Sequence, residues 1–166
     1  MRNKLRVVAG ISAAFAAGAL FVPLNIAYAG HTNTVLSTEL RGRNEVGTDG
    51  HRRAGDPNGR GEAYVFGIDG DPTTLCYVLT VEGIEPATAA HIHEGRRGEN
   101  GPVVVNLAAP ADGNAADCLT EGEAGKFVEG QTVAEILANP GNYYVNVHNA
   151  DYPGGAIRGQ LEADEG

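Results

Sequence analysis

Thr74-Leu75-Cys76-Tyr77-Val78-Leu79-Thr80-Val81 alternates: Leu75, Tyr77 and Leu79 fall on one side and Cys76, Val78 and Thr80 on the other. Period-two alternation in a run rich in β-branched and aromatic residues specifies a strand with one face buried. The same signal recurs on both sides. Upstream, Thr34–Leu40 alternates, and Glu62–Ile68 sets Tyr64 and Phe66 opposite Val65. Downstream come Ala89–His93, Val103–Leu107, Tyr143–His148 and Ala156–Leu161. Short strands punctuated by Gly, Pro, Asn and Asp predict an all-β protein, an antiparallel sandwich or barrel.

Two long excursions and one short helix interrupt the strands. Residues 42–61 are polar, with Asp49-Gly50, Asp56-Pro57 and Asn58-Gly59, and read as a long loop of the kind that often carries function. Residues 108–130 form the second excursion. Thr132-Val133-Ala134-Glu135 fits a capping box, Val133, Ile136 and Leu137 share a helical face, and Asn139-Pro140 stops the helix.

The N-terminus reads as an export signal. Arg2, Lys4 and Arg6 precede an uncharged apolar run, Val7–Val22, and Ala27-Tyr28-Ala29 is a small-x-small cleavage site. A run of about 16 residues falls short of the roughly 20 that span a bilayer. Cleavage after Ala29 divides the chain into a signal peptide, 1–29, and one mature domain, 30–166, that is secreted or periplasmic and not inserted in a membrane. The mature part holds all 21 acidic residues against 9 Lys and Arg, a net charge of about −12. That balance disfavours nucleic acid and anionic lipid as partners, and favours cations and basic partners. Cys76 and Cys118 are its two cysteines. In an oxidising compartment they pair as a disulfide, tethering the second excursion to the third strand; the other reading is two buried thiols.

Histidine carries the chemistry. In His91-Ile92-His93 the two imidazoles point to one face of a strand, roughly 6.5–7 Å apart along the chain, while Ile92 faces the core. In Tyr144-Val145-Asn146-Val147-His148, His148 faces away from Val145 and Val147. If these strands are neighbours, His91, His93 and His148 form a three-nitrogen site suited to copper or zinc. His51 is a fourth ligand if its loop folds over, and Glu94 points to the opposite face. The competing reading is three histidines that only hydrogen-bond. Arg158 lies on the same face of its strand as Gln160, and a hairpin through Asp151–Gly155 sets it near His148. There it either steers anions to a metal or makes an ordinary ion pair. Hydrolase elbows, P-loops, dinucleotide fingerprints and His-Glu-x-x-His are absent from the sequence.

Longer stretches carry a resemblance. Leu40–Val46, Gly59–Ala63, Ala90–Val105, Asn139-Pro140, Tyr143–His148 and Pro153–Leu161 resemble, in family order, the CHRD domain, the module named after chordin and found singly in secreted bacterial proteins. In chordin these domains belong to an extracellular antagonist of bone morphogenetic proteins; the single-domain bacterial members are mostly of unassigned function. More distantly, His91–Glu94 and Val145–His148 resemble the copper-ligand strands of copper/zinc superoxide dismutases, and Arg158 is similar to their active-site Arg. That likeness implies a Greek-key β-sandwich with one intradomain disulfide. No His lies between His93 and His148, so the bridging and zinc-loop ligands of those enzymes are missing. The histidine spacing and the resemblance together point to a secreted CHRD-type binding module for a metal ion, at His91, His93 and His148, or for an extracellular protein. A copper redox enzyme with dismutase-like chemistry and a purely structural envelope domain are the alternatives.

Overall fold

The computed structural model describes residues 34–164. The expected signal peptide, 1–29, and its cleavage site lie outside them. Nine strands follow in chain order: β1 (Val35–Arg41), β2 (Arg60–Ile68), β3 (Asp71–Glu82), β4 (Ala87–Glu94), β5 (Val103–Leu107), β6 (Asn114–Thr120), β7 (Tyr143–Asn149), β8 (Ile157–Gln160) and β9 (Glu162–Ala163). They form one sheet ordered β5-β4-β7-β8-β1-β2-β3-β6, with β9 also on β1. Every named pairing is antiparallel. The β4–β5 hairpin lies in sequence between the paired strands β3 and β6, and β7 then crosses over to pair with β4, the Greek-key arrangement expected.

Alternation decides what the sheet encloses. Leu36 and Leu40 of β1, Val65 of β2 and Leu75, Tyr77 and Leu79 of β3 are buried from one half of the sheet. Ile92 of β4, Val105 of β5, Val145 and Val147 of β7 and Ile157 of β8 are buried from the other half. All belong to a single apolar cluster, so the sheet rolls until its two halves share one core. The short helix α1 (Val133–Ala138) plugs into this cluster through Val133 and Ile136. Its start is the one the sequence predicts: the Thr132 hydroxyl accepts from the Glu135 N–H at 3.2 Å.

The second excursion is a correction. Part of the region read as loop is β6, paired with β3 over Thr74–Thr80. Only Leu119 of its seven residues is buried, so Asn-Ala-Ala-Asp-Cys-Leu-Thr has no alternation to detect. The strand exists because β3 offers a free edge and because Cys76 stands directly opposite Cys118, to which it is disulfide-bonded. Among the described residues no helix is long and apolar enough to cross a membrane.

Candidate metal centre

The central question is which strands lie beside β4. Its neighbours are β5 and β7, and β7 in turn meets β8. Register sets His91 opposite Asn146, His93 opposite Tyr144 and His148 opposite Ala89. Ala90, Ile92, Val145 and Val147 point into the core, so His91, His93 and His148 share the outward face of two adjacent strands. One nitrogen from each ring lies within 4.8 Å of one from each of the others. The three half-buried rings therefore converge as the sequence predicts. His51 does not join them; it sits exposed in the turn where Gly47 N–H donates to its carbonyl.

Backbone carbonyls fix two of the tautomers. His93 Nδ1 lies 2.9 Å from the Gly101 carbonyl and His148 Nδ1 lies 3.1 Å from the Pro153 carbonyl. A carbonyl oxygen only accepts, so both Nδ1 atoms carry hydrogen and both Nε2 lone pairs are left for another partner. His93 Nε2 is buried and has no hydrogen-bond partner. His148 Nε2 is 3.1 Å from His91 Nδ1. Two imidazole nitrogens bound to one tetrahedral zinc, at bond lengths of about 2.0–2.1 Å, stand roughly 3.3 Å apart. The widest pair needs to close by about 1.5 Å or less to reach a common ion.

The electrostatics suit neutral ligands. Burial, reinforced by the adjacent His148 and His93 rings, pulls the His91 pKa from 6.5 down to about 4. Burial also lowers His93 and His148, against the opposing pull of their carbonyl partners. All three rings are thus neutral at physiological pH with lone pairs available. Among the described residues no carboxylate joins the group, and an all-imidazole set suits copper or zinc and is a poor match for calcium or magnesium.

Arg158 occupies a different place from the one its strand position alone suggested. It pairs across from Asn146 on one side and Arg41 on the other, and it is buried. Its guanidinium donates to the Asn100 side-chain oxygen (3.1 Å) and to the carbonyls of Arg96 (3.1 Å) and Glu99 (2.6 Å). It also lies 3.4 Å from the centre of the Tyr144 ring. Tyr144 in turn stacks on His93, with centroids 4.8 Å apart and planes 9° from parallel. Arg158 therefore does not present its charge to solvent as an anion guide. It clamps the loop 95–101, which supplies the Gly101 carbonyl that orients His93. Gln160 adds a bond to the Gly95 carbonyl at 3.0 Å, and Gly101 N–H donates to the Tyr144 hydroxyl at 3.3 Å. At Gly101 any Cβ would overlap the Glu94 carbonyl, so the close return of this loop requires glycine.

Beyond Asn146 lies Glu45, buried at the start of the long first loop. Its Oε1 accepts from Val46 N–H at 3.0 Å, and burial holds its pKa above the ordinary carboxylate value. Gly155, at φ 136°, gives up the space that this carboxylate and the Asn146 amide fill. Tyr144, Glu45 and the two orienting carbonyls are the parts of the site that residue type did not reveal. A tyrosine in an alternating strand looks like ordinary packing, and a carbonyl leaves no trace in sequence.

Residues 36–161 match the CHRD domain, which is most of the chain. No curated protein matches it. The matched span contains all three histidines, the disulfide and the Arg158 clamp, and the chain belongs to the CHRD domain family.

Proposed function

We propose that this CHRD domain is an exported binding module that holds copper or zinc through His91 Nδ1, His93 Nε2 and His148 Nε2. The observation that carries the reading is the pinning of His93 and His148 by backbone carbonyls within the three-ring cluster, which leaves a buried, unpartnered Nε2 on His93. His91 Nδ1–H donates to His148 Nε2; to serve as a ligand through Nδ1, His91 would carry its hydrogen on Nε2 instead. Three ligands leave a position open for water or for a group brought by a partner, and a bound ion would act there as a Lewis acid. The disulfide fits an oxidising compartment, in keeping with export by cleavage after Ala29. N-terminal sequencing of exported protein should begin at Gly30.

Calorimetric titration with Zn(II) and Cu(II) tests the metal reading. The wild type should bind one ion per chain, with divalent copper preferred. Replacing His91, His93 and His148 together by Ala should abolish binding without unfolding the domain. Because ligation needs neutral rings and all three pKa values are depressed, affinity should stay level as pH falls to about 6.5 and decline below it. Equal affinity in wild type and triple variant would remove the site.

A further inference from the structure

The arginines of the described residues fall in a few short segments of chain. Of nine Lys and Arg among the described residues, five fall between Arg41 and Arg60, two are Arg96 and Arg97, and another is Arg158; only Lys126 lies elsewhere in the chain. The first loop and the loop 95–101 bring four of them, Arg43, Arg52, Arg97 and Arg158, to one place, tied by Asn100 Nδ2, which donates to the Val46 and Gly47 carbonyls at 2.9 and 3.0 Å. Between the loops is a hollow of about 150 Å³ walled by Arg43, Arg52, Arg97 and Arg158. Arg52 lies across Gly98, where an added Cβ would stand 3.0 Å from the guanidinium. Arg97 is paired with Glu162, and Arg158 is committed to the clamp. Arg43 and Arg52 are exposed and have no ion pair among the described residues. The one carboxylate in this wall, Glu45, is buried and turned toward Val46 N–H. Guanidinium groups crowded together repel one another, and an oxyanion among them relieves that repulsion through charge-assisted, bidentate bonds.

A second hollow, of about 520 Å³, shares Arg43 and Arg97 with the first and runs over the outward face of β1 and β2. Its chemistry is different. Glu39 and Glu62 stand directly opposite each other, Glu39 paired with Arg41 at 3.1 Å, and Glu162, paired with Arg97, lines the same hollow. Tyr64 is 41% exposed beside them. Arg41 Nε is a buried donor with no partner. Carboxylates accept hydrogen bonds from hydroxyl groups, and an exposed aromatic face packs against the C–H face of a sugar ring. An acidic peptide would meet Glu39 and Glu62 with its own negative charge, whereas a sugar meets them with hydroxyls.

We propose that the two hollows together bind an anionic saccharide. Its sulfate, phosphate or carboxylate group sits between Arg43 and Arg52, its hydroxyls on Glu39 and Glu62, and a ring face on Tyr64. This site is separate from the histidines and needs no metal. Calorimetry on the full chain, with a disaccharide sulfated at a single position, its desulfated form, inorganic sulfate and a polyglutamate peptide as probes, tests it. The sulfated sugar should bind, more weakly as salt is raised, and the desulfated sugar, sulfate alone and the peptide should each bind at least about tenfold more weakly. The double variant Arg43→Gln/Arg52→Gln, at exposed positions, should lose at least about tenfold in affinity, since two charge-assisted contacts go, with an unchanged thermal midpoint. Tyr64→Ala should lose several-fold, and Arg60→Gln, outside both hollows, less than about twofold. No binding, equal binding of sulfated and desulfated sugars, equal binding of the peptide, or equal losses in Arg60→Gln and the double variant would each overturn the proposal.

Discussion

The wall formed by β3 and β6 and the wall formed by β4, β7 and β8 turn similar apolar faces to the same core, yet their outer faces are built on opposite principles. Outside β3 and β6, Val78 is left 41% exposed, Cys118 lies at the surface and the strands are joined covalently by the disulfide. Outside β4, β7 and β8, Tyr144, Asn146, Arg158 and Gln160 are polar and all 7% exposed or less, because loops fold back over them. Burying so many polar groups costs free energy unless each is bonded, and a leucine layer would be cheaper. The first wall is arranged for stability. The second wall buries polar groups behind loops that supply their hydrogen-bond partners, and it is the wall that holds the three imidazoles.

The contrast can be broken by cutting each wall in turn. Replacing Cys76 and Cys118 by Ala should have the largest effect on stability. The bridge closes a loop with a sequence separation of 42, for which the chain-entropy account gives about 4 kcal/mol. Urea denaturation should show that loss, while zinc affinity of the folded fraction stays unchanged. A fall in affinity would mean that the two walls are not separable. Arg158→Leu comes next. It leaves the Arg96 and Glu99 carbonyls without their donor and uncovers one face of Tyr144, a loss of about 3 kcal/mol. Unlike the disulfide variant, it should also weaken zinc binding, because the loop carrying the Gly101 carbonyl is released and His93 loses its fixed tautomer. Arg158→Lys keeps the charge without the planar fork and should recover only part of either property.

Smaller changes sharpen the comparison. Tyr144→Phe removes only the hydroxyl that accepts from Gly101 N–H and keeps the ring between Arg158 and His93. A loss of about 1 kcal/mol in urea denaturation, with metal affinity near wild type, is expected. Metal affinity falling as far as in Arg158→Leu would shift the weight of the clamp from the guanidinium to the hydroxyl. Val78→Thr keeps β-branching on the exposed side of the stapled wall and should change stability by less than about 0.5 kcal/mol, measured the same way.

The two walls were also unequally legible. Leu75, Tyr77 and Leu79 announce β3 because one side of the strand is buried and the other exposed. β6 was invisible for the converse reason: with Leu119 alone buried, its pairing comes from the edge of β3 and from the disulfide, neither of which is a local property of its residues. His91 and His93 were readable because period two places them together whatever the fold. That His148 joins them depends on β7 lying beside β4, which follows from topology and was legible only through resemblance. Arg158 shows the limit most clearly. Alternation put it on the correct face, but a face that loops later cover is not a surface, and residue type alone does not tell a buried guanidinium clamp from an exposed anion guide. Loop carbonyls such as those of Gly101 and Pro153 cannot be read from side chains at all.

The central claim is that three particular nitrogens are held ready for one metal ion, and long-range ¹H–¹⁵N NMR of the imidazoles reads it atom by atom. Without metal, His93 and His148 should both carry hydrogen on Nδ1, bonded to the Gly101 and Pro153 carbonyls. On adding one equivalent of Zn(II), His91 Nδ1, His93 Nε2 and His148 Nε2 should shift together to values of metal-bound nitrogen. The two Nδ1–H groups should remain, and His51 should not move. Three rings that keep their metal-free shifts, or coordination through His93 Nδ1 or His148 Nδ1, would contradict the account.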